Sequence, residues 1–189
     1  MTIVLNKSEI ENLDLVSKYP EIKDSSLISG FGSNKEHYKL LYILSSYFNN
    51  TVIFDIGTYH GHSALAMSKS NNKIISHDIV DKKEKNINFK NYSNIEFKIE
   101  NGLENVIDKI NASIIVLDID PKGVYEMDFI NKLYLNAYQG ILIMDDIYDE
   151  KLKSVWDNIP YPKFDISIYG HFNGTGLVLF NKDIIFKYE

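Results

Sequence analysis

The sequence predicts an α/β protein built on a doubly wound, mostly parallel sheet of seven strands that ends in an antiparallel hairpin. Three observations carry this expectation. Short apolar runs alternate with amphipathic stretches, the pattern of buried parallel strands joined by crossover helices. The last two apolar runs flank a Gly-rich turn, as the arms of a hairpin do. A length of 189 residues suits one core better than two.

The first predicted element is a helix over residues 8–18, because Ser8 and Glu11 make a capping box and Pro20 follows its end. Residues 20–33 are rich in Ser and Gly and predict a loop that either lies along the core or closes over a ligand. Residues 1–32 therefore read as an accessory helix and loop, able to act as a lid, ahead of a main domain over 33–189. A second capping box, Ser33 with Glu36, opens a helix whose Tyr38, Leu41, Tyr42, Leu44 and Phe48 form an apolar stripe, and Asn49 and Asn50 stop it.

Five strands follow at 51–56, 73–78, 95–100, 113–118 and 141–145. Helices are expected at 62–70, 102–110 and 124–138, whereas the charged, Asn-rich link over 81–94 predicts at most a short solvated helix. A helix over 149–159 leads into the hairpin strands at 164–169 and 176–180.

Composition narrows the function classes. Hydrophobic residues make up 44% of the chain, enough for a real core, which excludes wholesale disorder. Against 26 Asp and Glu there are only 20 Lys and Arg, a net charge of -6 that argues against a nucleic-acid partner. Cys is absent, which removes disulfides, thiolate metal sites and cysteine nucleophiles and fits a cytoplasmic location. No apolar run approaches the roughly 18–20 residues of a membrane span, and residues 1–12 lack a basic stretch followed by an apolar one.

In an open α/β sheet the ligand site lies beyond the carboxyl ends of the strands, near the point where strand order reverses. The first predicted parallel strand ends in Phe54-Asp55-Ile56-Gly57-Thr58-Tyr59-His60-Gly61-His62-Ser63, where two glycines permit a tight turn and close backbone approach before a helix. The Gly57 to Gly61 spacing departs from the G-x-G-x-x-G of nicotinamide dehydrogenases. Asp55 suits an ammonium group, while Ser63 and the helix start suit a carboxylate. Asp78, about twenty residues beyond the loop, is placed to accept hydrogen bonds from ribose hydroxyls. Together these describe a ligand with both an amino-acid end and a ribose, and S-adenosylmethionine is such a ligand.

On these residues, the stretch 33–180 resembles the class I S-adenosylmethionine-dependent methyltransferases, whose fold is Rossmann-like. The segment from Phe54 to Ser63 looks like the first motif of the small-molecule O-methyltransferases. The resemblance implies that Asp55, Gly57, Tyr59, Gly61 and Ser63 contact the methionine part of the cofactor, that Asp78 meets its ribose, and that Asp118 borders the same pocket. Asn101 falls where the family usually carries an Asp facing the adenine amino group, and its side-chain carbonyl can accept the same bond.

Acids also gather downstream, in Leu117-Asp118-Ile119-Asp120 and Met144-Asp145-Asp146. Neighbouring strands lie about 4.8 Å apart, so Asp118 and Asp145 at adjacent strand ends are within reach of one small cation, and Asp146 can turn towards it. Unpaired carboxylates that close would raise each other's pKa, whereas a divalent ion stabilises them ionised. All-oxygen ligation suits magnesium, manganese or calcium. The arrangement resembles the metal-dependent O-methyltransferases, most nearly the sugar-modifying macrocin O-methyltransferase type.

That resemblance implies Asp118, Asp145 and Asp146 as Mg2+ ligands and Asp120 as general base, with Lys122 as the second choice of base. Pro121 stands where relatives often carry His. Two adjacent hydroxyls on a small-molecule acceptor could chelate the ion, which favours a sugar diol or a catechol. The competing readings are a nicotinamide-dependent oxidoreductase and a cofactor-binding protein without turnover, in which Asp145 and Asp146 only cap the next helix. A homo-oligomer could supply an acceptor wall that a short chain lacks. Residues 170–176 are expected to be a hairpin turn in which His171 could face the acceptor. His60 and His62 flank the cofactor turn, where a zinc site would require a third ligand at workable geometry and is not expected, and Trp156 is expected to pack in the core.

Overall fold

The computed structural model describes residues 1–19, 36–68 and 70–189. The expected loop over 20–33 and the Ser33 cap lie outside the described residues. Seven strands make one sheet: β2 (Val52–Ile56), β3 (Lys73–Asp78), β4 (Ile95–Ile99), β5 (Ile114–Leu117), β6 (Ile141–Asp145), β7 (Lys163–Asp165) and β8 (Thr175–Leu179), in the spatial order β4-β3-β2-β5-β6-β8-β7. The first five are parallel, and β8 runs antiparallel to both β6 and β7. Chain order reverses between β2 and β5, so the switch point lies above Ile56 and Leu117, which are cross-strand partners.

Alternation along the strands sends side chains to two faces. Ile53, Ile74, Ile114, Val116, Ile141 and Ile143 meet α3 (His37–Ser46) and α4 (His62–Met67) on one face. Phe54, Ile56, Ile115, Leu117, Leu142 and Met144 meet α5 (Glu126–Leu135) and α6 (Glu150–Asn158) on the other. The result is a three-layer sandwich, as expected of a doubly wound sheet. Asp55 points to the α3/α4 face, and this alone decides which helix its carboxylate meets.

The N-terminal segment is part of the core, not an accessory. A strand absent from the sequence expectation, β1 (Thr2–Leu5), pairs in parallel with β9 (Ile185–Tyr188) in a separate two-stranded sheet. Ile3 and Leu5 are fully buried, as is Ile10 of the following helix α1 (Lys7–Asn12). The predicted single helix over 8–18 is divided into α1 and α2 (Leu15–Lys18), because Asp14 caps a fresh start by accepting from the Ser17 N–H at 3.1 Å. The cap of α1 is Asn6, whose side chain accepts from the Glu9 N–H, and not Ser8.

Two further expectations change. The helix predicted over 102–110 is a 3-10 turn, Val106–Lys109, because Asn105 sits at φ 50 and the buried Lys109 ammonium takes the Glu104 and Asn105 carbonyls. The strand predicted over 164–169 is shorter: the Asp165 carboxylate accepts from the Ser167 N–H, turning the chain into a 3-10 turn at Ser167–Tyr169. Among the described residues no helix is long and apolar enough to cross a membrane.

Candidate active site

Gly57 begins the site. It follows β2 at φ +93, where a side chain is disfavoured, and a Cβ built on it would lie 1.6 Å from the Asp118 carbonyl oxygen. Its N–H donates to the His77 carbonyl at 2.9 Å, while the Asp118 N–H donates to the Ile56 carbonyl at 2.9 Å. The turn is thereby tied to the ends of both flanking strands. Tyr59 is held at φ 45, its N–H donating to Asp78 Oδ2 at 2.8 Å, and the other Asp78 oxygen accepts from the Val80 N–H. Gly61 then caps α4 at φ 83, packed against the Phe89 ring.

Asp55 is buried across the sheet from Ser76, its partner in register on β3. Its Oδ2 accepts hydroxyl hydrogen bonds from Ser76 at 2.8 Å and Ser63 at 2.9 Å. Burial pushes the carboxyl pKa up, and these hydroxyls pull it back. The Ser63 hydroxyl expected to receive a carboxylate is therefore donating to Asp55 in this structure.

Two compartments open around this turn. The larger, about 840 Å³, is walled by Gly57, Tyr59, Asp78, Asn101, Asp118, Asp120 and Lys122 among others. Asn101 is fixed at its rim, with Oδ1 accepting from the Leu103 N–H and Nδ2 donating to Glu104. His77 is a wall residue that the sequence reading missed: it is buried, stacks on Phe54, and its Nε2 lies 3.2 Å from a Glu100 oxygen. Burial, and then the Lys109 charge, lower its pKa. Asp120 is exposed on the cleft wall, two residues beyond Asp118 and joined to Pro121 by a cis peptide.

The smaller compartment, about 270 Å³, holds Asp55, Asp118, Asp145, Asp146 and four of the five histidines, His37, His60, His62 and His171. The expected acids do converge here, but they divide. The Lys122 ammonium sits between Asp118, at 3.3 Å, and Asp146, which it contacts more closely still. Although burial works against its charge, Asp118 and Asp146 hold its pKa well above the usual lysine value. Lys122 is thus a counter-ion in this geometry, not a free base. Enclosure by the cleft, and then the Asp145 carboxylate, push Asp118 up to about 6; the 45% exposure of its side chain limits the first of these effects. Burial also opposes ionisation of Asp146, but contacts with His171 and Lys122 hold it well below the usual carboxylate range.

On the far side of this ion pair lies His171. Asp145 pairs with Thr175 across the antiparallel β6/β8 contact, and Ile147 and Tyr148 donate to the Gly174 and Asn173 carbonyls. The turn therefore folds back over the end of β6, putting His171 Nδ1 3.0 Å from Asp146 Oδ1 and 3.8 Å from Asp145 Oδ1. Ligand atoms of Asp145, Asp146 and His171 all lie within 4.8 Å of one another. This is the closest-gathered cation-ligating group among the described residues, and it has His171 in the place expected of Asp118. His37 on α3 stands beyond, with Nδ1 3.7 Å from Asp145 Oδ1. The Oδ1 atoms of both aspartates and the Nδ1 atoms of both histidines are buried without an aligned hydrogen-bond partner. Such a donor set fits a divalent cation.

No family model and no curated protein sequence matches the chain. Solved structures do. A methyltransferase from Geobacter sulfurreducens superposes with a TM-score of 0.63 at 12% identity, over 87% of this chain and 95% of that one. A putative caffeoyl-CoA O-methyltransferase from Staphylococcus aureus gives 0.57 at 17% identity, covering 88% and 99%. An O-methyltransferase from Bacillus cereus, solved in complex with SAH, gives 0.53 at 17% identity, covering 87% and 94%. The chain has the Rossmann-like fold of the class I methyltransferases, O-methyltransferases among them.

Proposed function

We propose that the chain is an S-adenosylmethionine-dependent methyltransferase acting on a hydroxyl of a small molecule such as a sugar diol, with a divalent cation in its acidic pocket. One observation carries the reading: Gly57, Tyr59, Asp118 and Asp146 line both compartments, so a donor lying in the larger cleft and an acceptor entering the smaller one meet at the glycine turn. The solved O-methyltransferases with the same fold support it, as does the departure from the dinucleotide spacing, which disfavours an oxidoreductase.

The residues divide the work as follows. S-adenosylmethionine would supply an electrophilic methyl carbon on a sulfonium, an acceptor oxygen bonding to that carbon in line as the C–S bond breaks and S-adenosylhomocysteine leaves as the thioether. A divalent cation held by the acids would supply Lewis-acid chemistry there, lowering the pKa of an acceptor hydroxyl. The Gly57 turn lets donor atoms approach the backbone closely, and Asp78 at the end of β3 presents lone pairs to ribose hydroxyls beside its two backbone bonds. Asp145 and Asp146 would hold the cation. Asp120, on the wall of the larger compartment two residues beyond Asp118 and without an ion pair among the described residues, is the group we assign to removing the acceptor proton.

The test is transfer of labelled methyl from S-adenosylmethionine to a panel of sugar diols and catechols, with and without divalent metal. Asp120→Asn should keep binding of S-adenosylhomocysteine and lose roughly 10²–10⁴-fold in turnover. Stabilisation of the chain by NAD and not by S-adenosylhomocysteine in a thermal-shift titration would refute the reading.

A further inference from the structure

We infer that His171 supplies an imidazole nitrogen to the cation held by Asp145 and Asp146, making a mixed nitrogen and oxygen centre that takes Mn2+ or Co2+ in preference to Mg2+. The inference rests on the divalent-cation reading above and goes beyond its all-oxygen ligand set.

The geometry separates the two sides of the acid cluster. The Lys122 ammonium supplies the positive partner of Asp118 and of Asp146 Oδ2, which leaves Asp146 Oδ1, on the His171 side, without an aligned partner. Asp145 has no such partner: the residue is 7% exposed, and its Oδ1 accepts no hydrogen bond. A buried carboxylate oxygen without a partner is costly unless a donor or a cation meets it. His171 Nδ1 is the nitrogen aimed at the same point, within 4.8 Å of both acids' ligand atoms and itself without an aligned partner. Its position does not depend on the acids alone. The His171 N–H donates to Thr175 Oγ1 at 3.0 Å, and its carbonyl accepts from the Gly174 N–H at 3.0 Å, so the turn presents the ring before any ion arrives.

Ligand chemistry then decides the metal. Magnesium takes oxygen donors in a near-ideal octahedron and keeps several waters, so an imidazole gains it little. Manganese and cobalt accept imidazole, and affinity for nitrogen donors rises along the first-row series. Neutral His171 with its proton on Nε2 offers Nδ1 as a lone pair. His37 is the natural control, since its Nδ1 approaches Asp145 but stays outside the group of mutually close ligand atoms.

The experiment uses the full chain, stripped with chelator and titrated with Mn2+, Co2+ and Mg2+ by calorimetry, with pulsed electron paramagnetic resonance of the Mn2+ form to detect ¹⁴N coupling. We expect Mn2+ to bind tighter than Mg2+ by on the order of tenfold. The ¹⁴N coupling should be present in the wild-type chain, survive in His37→Gln and vanish in His171→Ala. The wild-type spectrum decides whether any imidazole ligates the ion, and His171→Gln replaces His171→Ala in the comparison with His37→Gln if the alanine variant fails to fold. Metal binding without ¹⁴N coupling, or with coupling lost in His37→Gln instead, overturns the role of His171 and leaves the divalent-cation reading standing. Failure of all three ions to bind overturns both.

Discussion

Replacing Gly57 with Ala should be among the most damaging single-methyl changes in this chain. The new Cβ would lie 1.6 Å from the Asp118 carbonyl oxygen and 2.6 Å from its carbonyl carbon. Both are backbone atoms, so no rotamer relieves the clash and β2 must separate from β5. That movement strains the Asp118 N–H bond to Ile56 and the two N–H bonds from Gly57 and Thr58 to His77. Holding Ala at a φ near +93 adds roughly 1–2 kcal/mol, and overpacking against fixed backbone about 1–3 kcal/mol, for a loss of roughly 2–5 kcal/mol. In a domain of this size that corresponds to a drop in Tm of about 4–20 °C. The control is Gly61→Ala, also at positive φ, whose Cβ meets the far edge of the Phe89 ring at 2.7 Å, an atom that can move. Urea unfolding of both variants is the assay, with S-adenosylhomocysteine titration of the folded fraction. A Gly57→Ala loss below about 1 kcal/mol, or one no larger than that of Gly61→Ala, would refute the close-approach argument.

Further outcomes follow from other parts of the site. Asp55→Ala removes the acceptor of the buried Ser76 hydroxyl and the half-buried Ser63 hydroxyl and leaves a void, so unfolding should show a loss of roughly 2–4 kcal/mol; a change within about 0.5 kcal/mol would mean that Ser63 and Ser76 find other partners. Burial, then His60, lower the His62 pKa from 6.5 to about 4, so its contribution is present above pH 6.5 and is lost as pH falls towards 4. Stability should drop by about 2 kcal/mol between pH 7 and pH 5, and His62→Gln should flatten that slope; an unaltered slope would show that other groups set it. Lys122→Gln removes the cation that competes at Asp118 and Asp146 and should tighten Mn2+ binding by about tenfold, or roughly 1.4 kcal/mol, by calorimetry. Weaker binding would mean that Lys122 organises the acids rather than competing for them.

Much of this fold is written in local pattern. The strands at Lys73–Asp78 and Ile141–Asp145 coincide with the apolar runs that predict them, because buried parallel strands have few other ways to be composed. Gly57 and the acids were legible for a related reason: each is contiguous with the end of such a strand. Thr2–Leu5 was missed because four residues carry too little periodicity, and its pairing with Ile185–Tyr188 is wholly non-local. His171 escaped assignment because its place beside Asp145 depends on the register of an antiparallel partner. The division of the acids by Lys122 depends on side-chain reach across a cleft, which spacing along a chain does not encode. The 3-10 turn at Val106–Lys109 turns on one left-handed Asn and one buried ammonium, neither marked by composition.

The pairing of β1 with β9 also sets an order of events. Thr2 leaves the ribosome long before Ile185, its partner in register, has been synthesised. At 5–20 residues per second the wait is on the order of ten to forty seconds. Throughout it the side chains of Ile3 and Leu5 have no strand beside them, while the central sheet can already assemble. Pairing of Thr2–Leu5 with Ile185–Tyr188 is therefore a late step, and a translating chain halted before Ile185 should present that greasy strand to chaperones.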